Sequence, residues 1–100
     1  MEARIENFSS WIPYKSNWSH KEEIESLLTR SGFTILDYME HRFQPQGFTS
    51  IWLLAESHCA LHTFPEENKT YVELSSCNVD MFVHFVTHFH QKFNGRHPNE

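Results

Sequence analysis

Four short apolar segments, separated by turns of only a few residues, most strongly constrain how this chain can fold. They lie at 33–43, 48–55, 58–64 and 70–74. Short apolar runs bounded by Pro, Gly and polar turn residues are typical of β-strands. Parallel neighbours need a crossover of a dozen or more residues, so strands joined this closely are antiparallel. The sequence therefore predicts a mostly antiparallel sheet in the middle of the chain.

A helical pattern lies on each side of these segments. Ser19 and Glu22 form a capping box before the first helix, and Gly32 is placed to end it. Asn78 is a candidate N-cap for the second helix, which Gly95 would close. The apolar stripes expected at helical spacing are Ile24, Leu27 and Leu28 in the first helix and Val79, Phe82, Val83, Val86, Phe89 and Phe93 in the second. We predict an α+β fold, a two-layer sandwich with both helices on one face of the sheet.

The two ends of the chain are weakly patterned. A short strand from Ile5 to Trp11 is compatible with the first eighteen residues, but Pro13 limits its length. Residues 96–100 are expected to form a frayed tail. With 100 residues and no linker composition, residues 1–100 are expected to form a single domain.

Composition excludes several classes of function. A net charge of -5 without a Lys/Arg cluster argues against a nucleic-acid partner. No apolar run approaches membrane-spanning length, and the N-terminus lacks a signal-peptide core, so we expect a cytosolic protein without a membrane partner. In such a reducing compartment Cys59 and Cys77 are expected to be free thiols. The aromatic fraction of 15% makes a buried partner surface plausible in so small a chain.

Reactive side chains concentrate in the segment from Leu54 to Glu66. Ser57 follows a glutamate and is either a nucleophile or a tolerated polar residue at a strand junction. His62 is a candidate base with an ordinary pKa near neutrality, or a hydrogen-bonded core histidine. Cys77 is a candidate proton donor or nucleophile, or a small buried hydrophobe. Taken one at a time, the residues leave both interpretations open.

His84 and His88 are spaced to share one face of the second helix, where two imidazoles can hold a metal together. No third ligand is evident beside them, and a solvated helix face is the favoured interpretation. We expect no metal site.

The centre of the chain carries five short motifs in a fixed order, namely His41-Arg42-Phe43, Pro45-Gln46-Gly47-Phe48-Thr49, Ala55-Glu56-Ser57-His58, Leu61-His62-Thr63-Phe64-Pro65-Glu66 and Glu73-Leu74-Ser75-Ser76-Cys77. Together they resemble the small prokaryotic S-adenosylmethionine decarboxylases, which make their own pyruvoyl cofactor. One such piece would be weak, whereas the combination in this order and spacing is specific.

The resemblance implies a self-processing step. The Ser57 hydroxyl would attack the carbonyl of Glu56, and the chain would be cut between these residues into 1–56 and 57–100. The second fragment would then begin with a pyruvoyl group derived from Ser57. His62 matches the family histidine that assists the elimination.

The resemblance also implies a decarboxylation on S-adenosylmethionine, which supplies aminopropyl groups for polyamine synthesis. The pyruvoyl carbonyl would form a Schiff base with the substrate amine and act as an electron sink. Cys77 would reprotonate the product, and Thr49 would support processing through its hydroxyl. Phe43, Phe64 and Glu66 match substrate-binding positions, Phe64 replacing the usual tryptophan. In the family two processed protomers pack sheet against sheet, which implies a homodimer.

Two alternatives stay open. The family's usual Gly-x-His-Leu strand is missing from residues 1–18, and Ser75 replaces the usual phenylalanine. These departures border the substrate pocket and leave room for a free amino acid, arginine or ornithine, as substrate. The other alternative is an uncleaved, inactive homologue that binds a ligand or a partner subunit. Ser57, His62 and Cys77 argue against it because a decayed enzyme has no structural need to keep them.

Overall fold

The structure, a computed structural model, describes residues 3–14 and 19–94, the side chains of Ser19 and Asn94 excepted. Its strands are β1 Glu6–Pro13, β2 Ile35–Arg42, β3 Phe48–Leu54, β4 Ser57–Phe64 and β5 Lys69–Ser76, and its helices are α1 Ser19–Arg30 and α2 Val79–Phe89. A 3-10 turn at Pro65–Glu67 precedes β5, and a π-helical turn, His90–Asn94, continues α2. Within these ranges no helix is both long and apolar enough to cross a membrane.

All five strands form one sheet in the order β1-β5-β4-β3-β2, and every neighbouring pair is antiparallel. The predicted α+β class with an antiparallel sheet is confirmed. The N-terminal strand is longer than predicted because it runs to Pro13. Pro13 is tolerated there because it is the last residue of an edge strand, where a missing backbone N–H breaks little of the ladder.

The two faces of the sheet differ in what covers them. The inner face packs against both helices, as predicted, and the buried hydrophobic core comprises Ile12, Ile24, Leu27, Leu28, Phe33, Phe48, Trp52, Leu54, Cys59, Leu61, Val72, Leu74, Phe85 and Phe89. The opposite face, here called the outer face, leaves large apolar side chains exposed, namely Trp11, Met39, Ile51 and Leu53. Successive side chains along each strand therefore face either the core under the helices or the uncovered outer face.

The first helix forms as its sequence predicts. Ile24, Leu27 and Leu28 are all buried. Gly32 has φ +101°, and its N–H donates to the carbonyl of Thr29 while the N–H of Phe33 donates to Leu28. These two bonds make a Schellman ending, for which glycine is favoured because the left-handed conformation crowds a Cβ. The predicted Ser19 cap lies outside the described side chains.

The second helix begins as predicted, and most of its predicted stripe, namely Phe82, Val86, Phe89 and Phe93, packs in or against the core. Asn78 caps it, because its side-chain oxygen accepts from the N–H of Met81 at 2.9 Å. Phe85 and Phe89 are fully buried, whereas Val79 and Val83 are 45% and 54% exposed. The prediction was wrong for both valines. Val83 lies two residues from Phe85, on the other side of a helix with 3.6 residues per turn.

The predicted end of this helix at Gly95 and the tail over 96–100 lie outside the described residues.

We expect Leu61→Ala to lower the free energy of unfolding by about 2–5 kcal/mol, because it removes a fully buried side chain from the central strand. Leu36→Ala is the matched control, since Leu36 is 59% exposed, and surface changes usually stay within about 0.5 kcal/mol. Urea unfolding of both variants measures the difference. Equal losses would contradict the assignment of inner and exposed positions.

Candidate active site

A tight turn at Ala55 and Glu56 joins β3 to β4. Glu56 has φ +59°, a left-handed conformation that costs a residue with a Cβ roughly 1–2 kcal/mol. Leu54 and Ser57 pair directly across the hairpin and hold both ends of this turn. The peptide bond from Glu56 to Ser57 therefore follows a strained residue at the very end of the sheet.

Side chains along β4 alternate between the two faces of the sheet. Ser57 and Cys59 face the core, and His58 and His62 face outward. Glu56 belongs to the turn rather than to the strand and takes no part in this alternation.

Ser57 is buried beside a second serine that the sequence analysis had not singled out. Its hydroxyl donates to the Oγ of Ser76 at 2.9 Å, across the β4–β5 pair. The Oγ of Ser76 also accepts from the N–H of Asn78 at 2.9 Å. These bonds hold Ser57 with its proton directed at Ser76. One clue to Ser76 was present in the sequence. Ser76 directly precedes Cys77 and lies two residues after Leu74, so both side chains face inward in a strand.

The thiol of Cys77 lies against Glu56. Its Sγ is 3.3 Å from the backbone oxygen of Glu56 and 3.3 Å from the carboxylate Oε1. The hydrogen bond to that carboxylate raises the pKa of Cys77, so the thiol stays protonated at neutral pH. Cys77 is exposed, so the interpretation as a small buried hydrophobe was wrong for it. That description fits Cys59, whose burial raises its pKa.

We call this group, comprising Glu56, Ser57, Ser76 and Cys77, the hairpin-end cluster.

A second group lies on the outer face and surrounds a cleft of about 360 Å³. We call it the outer-face cleft, lined by Phe43, Gln46, Thr49, His62, Thr63, Phe64 and Glu66. The Oγ1 of Thr49 is 2.9 Å from the Nδ1 of His62, and the two residues pair directly across β3 and β4. Because His62 is half-buried on the outer face, the core-histidine interpretation was wrong. All three expected substrate-binding residues line this cleft.

The turn from Phe43 to Gly47 sets one rim of this cleft. The N–H of Phe43 donates to the carbonyl of Gly47 at 2.8 Å, which closes the turn predicted from Pro45-Gln46-Gly47. Gly47 has φ +93°, a conformation in which glycine is favoured. Phe43 is left 50% exposed, and its ring packs edge-to-face with that of His41.

Within one chain the two groups do not meet. His62 follows Ser57 by five residues along β4, a distance of about 16 Å at ~3.3 Å per residue. The odd spacing also places them on opposite faces of the sheet. Ser57 and Cys77 are thus brought together, as are Thr49 and His62, but the two pairs are separate.

His84 and His88 lie elsewhere and are each held by the protein. Their rings stack with centroids 4.0 Å apart. The Nδ1 of His84 contacts the Oγ of Ser31 at 3.0 Å, and the Nδ1 of His88 donates to the carbonyl of His84 at 2.8 Å. Both are half-buried rather than on a fully solvated face. In the part of the chain that the structure describes, no group of three or more His, Cys, Asp or Glu is placed to hold a metal ion.

Comparison with known proteins decides the family. A family described as S-adenosylmethionine decarboxylase matches residues 18–99, which is most of the chain and includes both groups of residues. The chain belongs to the S-adenosylmethionine decarboxylase family.

Relatives within this decarboxylase family match the central part of the chain. The S-adenosylmethionine decarboxylase proenzyme of Prochlorococcus marinus MIT 9313 is 44% identical over 54 residues, covering 54% of this chain and 43% of the relative. The proenzyme of the same name from Thermotoga maritima is 33% identical over 61 residues, covering 61% and 47%. The matched stretch thus spans less than half the length of these curated relatives.

A solved structure supports the fold of this decarboxylase-family chain. The adenosylmethionine decarboxylase from Aquifex aeolicus VF5 superposes with a TM-score of 0.75, covering 94% of this chain and 83% of that one. Its sequence identity is 19%, so the likeness concerns the fold alone.

We expect Glu56→Gln to accelerate alkylation of Cys77 by iodoacetamide at mildly alkaline pH. The carboxylate of Glu56 raises the pKa of this thiol, so its removal lowers the pKa and enlarges the reactive thiolate fraction. Both chains carry Ser57→Ala, so that cleavage beside Glu56 does not intervene. Mass spectrometry follows the adduct, and buried Cys59 is the internal control. An unchanged rate would contradict the contact.

Proposed function

We propose that this chain is a self-processing, pyruvoyl-dependent decarboxylase (a carboxy-lyase) that acts on S-adenosylmethionine and so supplies the aminopropyl donor for polyamine synthesis. The observation that carries the proposal is the hairpin-end cluster. There the carbonyl oxygen of a strained Glu56 contacts the protonated thiol of Cys77, and the next residue, Ser57, is buried with its hydroxyl hydrogen-bonded to Ser76. The similarity to relatives named S-adenosylmethionine decarboxylase proenzymes supports the same reaction.

The first step is an acyl shift from nitrogen to oxygen. The Oγ of Ser57 bonds to the carbonyl carbon of Glu56, the C–N bond breaks, and the hydroxyl proton passes to the departing nitrogen. Negative charge develops on the carbonyl oxygen during the attack. The Cys77 thiol, 3.3 Å from that oxygen, is placed to donate a hydrogen bond to it. Ser76 orients the attacking hydroxyl.

The second step separates the two fragments. His62 removes the α-proton of residue 57, and the bond between Cβ and Oγ of that residue breaks. The backbone carboxylate of Glu56 leaves with Oγ as the new C-terminus of fragment 1–56. Hydrolysis of the resulting enamine releases ammonia and leaves the pyruvoyl group at the start of fragment 57–100. That group supplies a carbonyl that withdraws electrons from the bond that loses CO2.

The sheet suits such a cut. Fragment 1–56 contributes β1, β2 and β3, while fragment 57–100 contributes β4 and β5. In the order β1-β5-β4-β3-β2 the fragments interleave, with β1 pairing with β5 and β3 with β4. Residue 57 can therefore stay buried at the end of β4, beside the Cys77 thiol, which returns a proton to the product.

A second copy of the chain completes the site in this proposal. His62 lies about 16 Å from Ser57 on the opposite face, so it cannot reach the α-proton within one chain. A two-fold axis through the middle of β4, with two outer faces packed together, would bring each hairpin-end cluster toward the other copy's cleft. Such packing would also cover the exposed apolar side chains Trp11, Met39, Ile51 and Leu53. Homodimers with two-fold symmetry are the commonest oligomers.

The outer-face cleft suits S-adenosylmethionine. Phe43 and Phe64 offer aromatic faces on which an adenine can stack or a sulfonium cation can rest. Glu66 offers a carboxylate to ribose hydroxyls or to a cation. The relatives are named S-adenosylmethionine decarboxylase proenzymes, which favours this substrate over arginine or ornithine.

Purified protein is expected to contain two fragments divided between Glu56 and Ser57, the second lacking an amino group. Ser57→Ala should stay whole because no hydroxyl remains to attack. Cys77→Ala should still be processed, though more slowly because the hydrogen bond to the Glu56 oxygen is lost. Its processed form should release CO2 at least roughly a hundredfold more slowly, since the positioned proton donor is lost. Intact mass and labelled CO2 release measure both effects.

Side-by-side assays with S-adenosylmethionine, arginine and ornithine decide the substrate. If CO2 is released from arginine or ornithine but not from S-adenosylmethionine, that amino acid is the substrate instead. A wild-type chain that remains uncleaved on prolonged incubation would overturn it.

Mixing two inactive variants tests the shared site. In a mixed dimer of His62→Asn and Ser57→Ala chains, one site combines the intact Ser57 of the first chain with the intact His62 of the second. We expect the His62→Asn chain to be cleaved after co-expression with Ser57→Ala and not when expressed alone. Distinct affinity tags and intact mass identify which chain is cut. Cleavage of His62→Asn on its own, or no cleavage in the mixture, would contradict the two-copy site.

A further inference from the structure

One row of side chains crosses the outer face of the sheet through His62. Thr49 of β3 pairs with His62 of β4, His62 pairs with Tyr71 of β5, and Tyr71 pairs with Trp11 of β1. All four side chains project from the same face, because directly paired residues in an antiparallel sheet point the same way. His62 thus has a neighbour on each side.

Tyr71 flanks the imidazole on the side away from Thr49. The ring centroids of His62 and Tyr71 lie 6.2 Å apart with an interplanar angle of 26°, an offset-stacked arrangement. On the other side, the Oγ1 of Thr49 lies 2.9 Å from the Nδ1 of His62. The hydroxyl determines where Nδ1 points, and the phenol ring limits rotation of the imidazole plane.

Tyr71 is itself held in place by two further contacts, with Glu73 and Trp11. Its hydroxyl donates to the Oε1 of Glu73 at 3.0 Å. The ring of Trp11 packs against the Tyr71 ring, with the two centroids 5.0 Å apart. The Nζ of Lys69 in turn lies 4.5 Å from the centroid of the Trp11 ring. The Trp11 ring also packs against that of Phe64 in the outer-face cleft, with the centroids 5.7 Å apart. The edge strand β1, whose sequence departs from the family pattern, is thereby connected to the cleft.

We propose that Tyr71 is a positioning residue for His62 and that Trp11 braces it, so that β1 helps to orient the site histidine. The consequence for cleavage rests on the proposed function, whereas the orientation itself does not. Removal of the Tyr71 ring frees the imidazole to rotate, and misplacement of a reacting group by about 1 Å can slow a reaction a hundredfold. The phenol hydroxyl matters less, since the stack needs only the ring.

Nuclear magnetic resonance of the imidazole tests the orientation directly. The full chain carries Ser57→Ala to remain uncleaved, and the His62 signals are assigned by their loss in His62→Asn. Tyr71→Leu should shift the ring-proton and ring-nitrogen signals of His62, and Trp11→Leu should shift them less. Tyr71→Phe should preserve them, which is the rescue by the conservative variant. Val83→Ala, on an exposed position of α2, is the control and should leave them unchanged.

Thermal unfolding of each variant separates orientation from global stability. If a folded Tyr71→Leu chain gives the same His62 signals as the chain with Tyr71 intact, the proposal is overturned. If that variant does not fold, the comparison of Trp11→Leu with Trp11→Phe decides in the same way, because phenylalanine keeps a ring against Tyr71.

The cleavage rate is the second readout. With Ser57 intact, Tyr71→Leu should be cleaved roughly tenfold or more slowly than wild type, and Tyr71→Phe should be cleaved at close to the wild-type rate. If even the wild-type chain is not cleaved, the proposed function fails, while the signals of His62 still decide whether Tyr71 positions it. If His62 shifts in Tyr71→Leu but its cleavage rate equals that of wild type, the functional part of the inference is overturned.

Discussion

The pairing of β4 with strands on both sides is the constraint on which both groups of candidate residues depend. β4 is the central strand, and its ladders with β3 and β5 set which residues face the helices and which face outward. A slip of one residue would exchange those faces. The buried side chains of Cys59 and Leu61 oppose such a slip, because it would expose them. Hydrophobic burial thereby places Ser57 inward and His62 outward.

The same register concentrates strain and polar contacts at one peptide bond. Because β3 and β4 pair up to Leu54 and Ser57, the chain must reverse at Ala55 and Glu56. The left-handed conformation of Glu56 presents its carbonyl to the thiol of Cys77. In the proposed cleavage, breaking the bond beside Glu56 would relieve this strained conformation, while the paired strands would stay in place. Folding and cleavage are thus compatible.

Much of this could be predicted because it depends on residues close in sequence. The Gly32 ending, the Asn78 cap and the antiparallel pairing all follow from local turn and cap chemistry. The orientation of α2 did not follow, since the sequence shows several apolar residues around the helix but not which side meets the sheet. Val79 and Val83 were misplaced for that reason.

By itself the sequence determined the class of fold and a set of candidate residues, because short-range periodicity and motif spacing are properties of the chain alone. Only the tertiary structure decided which candidates meet. It joined Ser76 to Ser57, Cys77 to Glu56 and Tyr71 to His62, and it separated Ser57 from His62. The physical reason is that cross-strand neighbours are selected by register and by burial of the whole sheet, which no local pattern encodes.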